Sequence, residues 1–184
     1  MRKCVVFGVA LLAALSLTLP SQASAQGVYV GAGATIPMGD YGDYANTGWM
    51  GVGGVSFPLG QENLSIFGEG YYGGNGHSDY EGDKTSLYGA NAGVELDLAP
   101  EGEAGIYLFG QVGLMVHKYT SDEFSEYDDS ETGIAFGGGA GYSMPLGGMT
   151  GWVEGRYMQG QFDGGNTSFV GIIAGIAFPL GGEG

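Results

Sequence analysis

His77 and His117 are the only two imidazoles in this chain of 184 residues. They are the natural starting point for any catalytic reading. A nucleophilic triad needs a histidine within hydrogen-bond reach of a hydroxyl and of an orienting acid. His117 has Ser121 and Asp122 close by in sequence, which is the one arrangement that could support a lipid-modifying enzyme. Two histidines without a third convergent signal fit structural positions better, and no catalytic residue is expected. The single cysteine, Cys4, lies in the first residues, so neither a disulfide framework nor a thiolate metal site is expected further along. The glycine strings "GVGG" (51–54) and "GGGAG" (137–141) look like phosphate loops in isolation. Both sit inside alternating patterns with no helix to follow, so they fail the context that such a loop requires.

Carboxylates are the commoner chemistry. A set of polar residues falls at alternate positions within otherwise apolar or glycine-rich segments: Glu69, Asn91, Glu95, Asp97, Gln111, Glu154 and Arg156. If these share an interior, Arg156 is its one mid-segment cation and must bridge carboxylates, because a buried charge has to be paired. A second set is crowded into "SDEFSEYDDSE": Asp122, Glu123, Glu126, Asp128, Asp129 and Glu131. Oxygen clusters can hold divalent cations, yet the spacing is not that of a calcium loop, and a charge run is usually a solvated face. No specific metal and no cofactor are expected. Tyr41, Tyr44, Tyr80, Phe124 and Tyr127 stud the same connecting segments, which suits a recognition surface for a ligand the sequence does not name.

The elements that position these residues follow from period-two alternation. In "LYGANAGVELDL" (87–98), Tyr88, Ala90, Ala92, Val94, Leu96 and Leu98 alternate with Gly89, Asn91, Gly93, Glu95 and Asp97. Successive strand side chains point to opposite faces, so this is a strand with one apolar and one small or polar face. Seven further segments read alike: 28–36, 47–57, 64–72, 106–118, 133–144, 150–161 and 168–178. After the second, fourth and sixth come short turns, "PLGQEN", "APEGE" and "PLGGM". After the odd segments come longer polar loops at 38–46, 73–85 and 120–131, with a briefer one at 163–166. Short and long alternate strictly, which is the plan of an up-and-down meander with turns on one rim and loops on the other. An all-β, eight-stranded antiparallel up-and-down transmembrane β-barrel is expected, apolar faces to lipid and polar faces inward. The glycines suit a barrel this narrow, whose interior holds only packed side chains. Tyr88, Tyr107, Tyr119, Tyr142, Tyr157 and Phe178 fall near segment ends and read as interfacial girdle residues. Trp152 shares a face with Glu154 near the short-turn rim. It would plug that end unless a bulge at Gly151 turned it outward.

The first 25 residues read as a cleaved signal peptide. Arg2 and Lys3 precede an uncharged apolar run from Val5 to Leu19, Pro20 breaks it, and Ala23-Ser24-Ala25 is a small-residue cleavage site. The barrel domain is then 26–184. Only Lys84, Lys118 and Arg156 remain there against 20 acidic residues, so nucleic acid is not an expected partner.

With these features in place, the chain resembles the small eight-stranded bacterial outer-membrane β-barrels: the OmpA membrane domain, OmpX and related outer membrane β-barrel domains of Gram-negative bacteria. The residues that carry the resemblance are the last segment "SFVGIIAGIAF", ending on Phe178, and "WVEGRYMQG" (152–160) before it. The resemblance implies residence in the outer membrane with both termini in the periplasm, and folding by the barrel-assembly machinery with Phe178 as the terminal signal. It differs from the family pattern in that Pro179 to Gly184 follow that residue. It implies contacts with outer-membrane lipids and with lipopolysaccharide, the latter bridged by divalent cations, and a monomer. The expected role is structural or surface-interactive (adhesion-like, through the acidic loops), without catalysis. The alternatives are a narrow, porin-like path for small solutes or cations, a lipid-modifying enzyme resting on His117, and a soluble periplasmic barrel of lipocalin type.

Overall fold

The computed structural model describes residues 27–60, 63–78, 82–100, 103–121 and 129–180. Eight strands run in chain order: β1 (Gly27–Met38), β2 (Gly48–Pro58), β3 (Leu64–Gly76), β4 (Lys84–Asp97), β5 (Gly105–Thr120), β6 (Asp129–Pro145), β7 (Thr150–Phe162) and β8 (Gly165–Pro179). Each pairs antiparallel with its neighbour, and β8 pairs with β1 from Pro179↔Gly27 to Ser168↔Met38, so the sheet is a closed barrel. Closure removes every free sheet edge, which is the condition for a sheet to cross a bilayer. Among the described residues no helix is long and apolar enough to do so. The proposed signal peptide lies outside the described residues.

The alternation sets the two faces. Val30, Val94, Leu96, Ile106, Leu108, Val112, Leu114, Ile134, Val153 and Ile172 are exposed on the outer wall. An apolar band of that extent is far more than a water-facing surface carries, and lipid is the medium that suits it. Aromatic rings border it. Trp49, Tyr72 and Tyr88 stand together near the loop rim, with ring centroids 5.7 and 6.1 Å apart. Tyr142 and Phe178 stand exposed near the turn rim. Tyr107 and Tyr119 do not belong to this girdle, contrary to the sequence reading. They fall on the inward parity of β5: Tyr107 is buried and hydrogen-bonded to Glu154, and Tyr119 donates its hydroxyl to Asp83. Tyrosine's mixed polarity suits either place, so parity rather than residue type decides.

Two departures concern the connections. The β3–β4 hairpin stays paired out to Gly76↔Lys84, although 73–85 reads as a loop. Its inward Asn75 and Thr85 carry no apolar signal, yet both are buried. Asn75 donates Nδ2 to the Asn46 carbonyl at 2.8 Å and to Thr35 Oγ1 at 3.1 Å, so polar contacts replace the hydrophobic pattern. The β7–β8 connection is a tight turn at 163–164, closed by Phe162↔Gly165, and is shorter than the connection at 98–104. Gly165 takes a φ of +150° there, a backbone conformation that side-chain-bearing residues rarely adopt. The strict short–long alternation therefore fails at the last hairpin. The loop between β1 and β2 contains a single 3-10 turn, Gly39–Asp43, which brings Tyr41 over the barrel mouth.

Candidate functional site

The interior divides into two halves. In the half toward the short turns, Arg156 stands at the centre, on the inward face of β7. Its Nη1 lies 2.5 Å from Glu69 Oε1 and its Nη2 3.0 Å from Glu69 Oε2, a two-pronged pair across the barrel from β3. Its Nε donates to Glu154 Oε1 at 2.6 Å, and Nη2 also pairs with that carboxylate. The guanidinium carbon sits 5.5 Å from the Phe109 ring centroid, within reach of a cation–π contact. Each carboxylate takes a phenol as well. Tyr107 donates to Glu154 Oε2 at 2.9 Å and Tyr29 to Glu69 Oε2 at 3.3 Å. All three charged groups are buried. Forked, charge-assisted bonds of this kind are what make a buried ion cluster tolerable.

Below this cluster is a cavity of about 250 Å³ at the short-turn rim. Tyr29, Phe67, Tyr107, Phe109 and Trp152 supply aromatic walls, and Glu95 and Asp97 bring further carboxylates from β4. Trp152 points inward, its ring edge-on to Tyr29 at 6.2 Å; β7 shows no outward turn there. Room for these rings comes from glycines on facing strands. A Cβ at Gly31 or Gly175 would run into Trp152, one at Gly93 into Phe67, and one at Gly141 into Tyr107. Each bulky ring thus has a glycine seat, the large-against-small pattern by which a tapering barrel fills its interior.

At mid-height, Asn91 and Gln111 are buried beside this cluster. Gln111 donates Nε2 to Met158 Sδ at 2.8 Å. Neither amide atom of Asn91, nor Oε1 of Gln111, finds a hydrogen-bond partner among the described residues; buried amides of this kind are normally served by ordered water.

The loop-side half has another character. Met50, Val52, Leu87, Met115, Met158, Phe169 and Ile173 are buried together with Tyr41, Tyr71 and Ala135 in one apolar cluster. Tyr41 caps it from the 3-10 turn, packing against His117 at 6.0 Å and Tyr44 at 5.6 Å. Burial pushes the Tyr41 hydroxyl well above the ordinary tyrosine range, and burial with the nearby Asp40 raises Tyr44. His117 lies between the Tyr41 and Phe162 rings, with its Nε2 buried and lacking a hydrogen-bond partner among the described residues. His77 Nε2 is 2.8 Å from Thr85 Oγ1. The two histidines therefore serve the packing of the loop rim.

Of the acidic loop, Asp122, Glu123, Glu126 and Asp128 lie outside the described residues. Asp129 and Glu131 open β6, opposite Tyr119 and His117. Among the described residues no group of acids and histidines could hold a metal ion. Phe178 faces outward near the end of β8, opposite Val28. The sequence reading missed the aromatic walls Tyr29 and Phe67; the signal was there in the inward glycines that face large rings.

A closed eight-stranded barrel with an apolar outer band, aromatic borders and a polar, filled lumen defines an integral outer-membrane barrel. The family model for the outer membrane protein beta-barrel domain matches residues 7–178, and the chain belongs to that family. Among solved structures, neisserial surface protein A is similar over 84% of this chain and 97% of its own, at 16% identity and a TM-score of 0.68. Ail, the attachment invasion locus protein of Yersinia pestis, is similar over 84% of this chain and 99% of its own, at 15% identity and a TM-score of 0.55. A further structure of Ail, in complex with the heparin analogue sucrose octasulfate, matches at 14% identity and a TM-score of 0.55. At these identities the likeness is one of fold. Comparison with curated protein sequences gives no match.

Proposed function

We propose that this outer-membrane barrel is a surface-interaction protein. It presents its loops outside the cell, keeps both termini in the periplasm after loss of residues 1–25, and carries out no catalysis. The observation that carries this reading is the loop-side interior. Buried methionines, leucine and phenylalanine fill it and Tyr41 closes it, so the barrel works as a rigid mount for its loops, and a solute path would have to displace a packed core. β1 begins and β8 ends at the short-turn rim, where Gly27 pairs with Pro179. The longer acidic segments then belong to the opposite rim. The barrel-assembly machinery would read β8 with Phe178 as its terminal aromatic, and a monomer suffices, because closure leaves no edge to pair.

The partner class follows from charge. Ail takes a polysulfated heparin analogue. Here Asp122, Glu123, Glu126, Asp128, Asp129 and Glu131 crowd the connection between β5 and β6 and the first residues of β6, and such a surface repels a polyanion. It suits lipopolysaccharide phosphates bridged by divalent cations, or a basic protein surface. Cells displaying the protein, and cells displaying a version with the six acids changed to amides, would be compared on polylysine and on heparin surfaces, with and without chelator. Binding to polylysine that needs the acids supports the reading. Equal binding by both versions, or preference for heparin, removes it. Planar-bilayer recordings that show steady conductance steps would favour the pore instead.

A further inference from the structure

The cavity at the short-turn rim has no part in the reading above, which rests on the opposite end of the barrel. Its floor is the Arg156 cluster, in which Nε, Nη1 and Nη2 all face Glu69 or Glu154. That cation is therefore spent. Among the described residues Arg156 is also the only cationic one lining the cavity, against Glu69, Glu95, Asp97, Glu103 and Glu154. The walls are aromatic. Tyr29, Phe67, Tyr107 and Trp152 line the space, and an aromatic face carries the negative end of its quadrupole. At about 250 Å³ the space takes a small organic molecule rather than a single water. An anion is repelled by this field. A hard metal ion prefers a shell of oxygens to rings. A neutral solute gains nothing from this field.

We propose that this cavity is a binding site for a compact organic ammonium ion, entered from the short-turn rim. The ammonium lies toward Glu95 and Asp97, and its hydrocarbon part lies among Tyr29, Tyr107 and Trp152. The Arg156–Phe109 contact at 5.5 Å already shows a cation seated on a ring at the floor of this same space. The ligand completes the pattern one layer further out.

The two tryptophans make the test direct, since Trp152 lines the cavity while Trp49 stands on the outer wall. Mature protein labelled with nitrogen-15 at tryptophan, in zwitterionic micelles, would be titrated with benzyltrimethylammonium. Trp49→Phe assigns the two indole signals. The expected result is a saturable shift of the Trp152 signal with Trp49 unmoved, and no saturable shift with benzyl alcohol. The Glu95→Gln/Asp97→Asn variant, checked for its boiling-dependent gel shift, should weaken binding about tenfold or more, the size of a lost charge partner. Should that variant not fold, Glu95→Gln alone serves, with a smaller loss in the same direction. The proposal is overturned if Trp152 is unmoved up to about 10 mM, where a 1 mM site would be about nine-tenths full. It is equally overturned if both tryptophans move alike, if benzyl alcohol acts as the cation does, or if the carboxylate variants bind with unchanged affinity. None of these outcomes depends on what the loops bind.

Discussion

The two halves of the barrel interior meet the same constraint by opposite means. Both lie in a lumen too narrow for bulk water. Toward the loops, Met50, Leu87, Met115, Met158 and Phe169 fill the space with hydrocarbon, and stability comes mainly from packing. Toward the turns, Glu69, Arg156 and Glu154 fill the centre with charge, and stability depends on every partner being present. The hydrocarbon half degrades by degrees when an atom is removed. The charged half fails as a unit, because removing its one cation leaves two acids buried without a counter-ion. The charged half leaves a cavity beside it.

Removing the guanidinium should therefore give the largest effect. Arg156→Ala leaves Glu69 and Glu154 buried and unpaired, a change that costs roughly 3–5 kcal/mol. A large drop in the urea midpoint of the boiling-dependent gel shift is expected. Arg156→Met combined with Glu69→Gln and Glu154→Gln should recover much of it. If the single variant unfolds at the wild-type midpoint, the cluster is not what holds this half. On the hydrocarbon side, Leu87 is fully buried, and Leu87→Ala should cost about 2–4 kcal/mol by the same readout. No compensating partner should exist for it, which is the contrast between the halves in its simplest form.

The glycine seats sharpen the comparison by about 1–3 kcal/mol, the usual cost of an overpacked site. A Cβ at Gly31 meets the Trp152 ring, so Gly31→Ala should destabilise the barrel. Paired with Trp152→Ala, the same substitution should cost much less. Additive losses in that double-mutant cycle would mean that the glycine serves backbone curvature and not the ring.

How far the sequence revealed these halves can be seen residue by residue. The number of strands, their antiparallel order and the inward parity of Glu69, Asn91, Glu95, Asp97, Gln111, Glu154 and Arg156 follow from alternation, which is a local property. Arg156 could be recognised as a bridge, but its partners could not. Glu69 lies 87 residues away, and which residue faces it across a closed barrel depends on the stagger of all the strands between. Tyr107 was misplaced because a tyrosine at a strand end suits the lipid interface and the lumen equally well. The upper part of the β3–β4 hairpin was invisible because Gly73, Gly74 and Asn75 hold it by hydrogen bonds rather than by an apolar stripe. What stayed hidden was in each case held by polar contacts, which leave no periodic signal in the sequence.

The smallest expected effect lies at the cap of the hydrocarbon half, and it is a dependence on pH. Tyr41 is fully buried over the apolar cluster, and burial raises its hydroxyl above the ordinary tyrosine value of 10.0. Below that value the phenol is protonated whether the cap is docked or free, so docking keeps its full strength. As pH rises past it, the free form gives up its proton while the docked form keeps it. Docking then weakens by about 1.4 kcal/mol per pH unit until the docked phenol also ionises. Proteolysis of the loop between β1 and β2 should therefore quicken above pH 10 while the boiling-dependent gel shift persists. In Tyr41→Phe, which cannot ionise, that rise should be absent. A rise of equal size in the variant would trace the opening to another group at the rim, such as Tyr44, whose hydroxyl is also raised. The charged half offers no such behaviour, since its phenols are bonded to carboxylates deep in the barrel and have no undocked state short of unfolding.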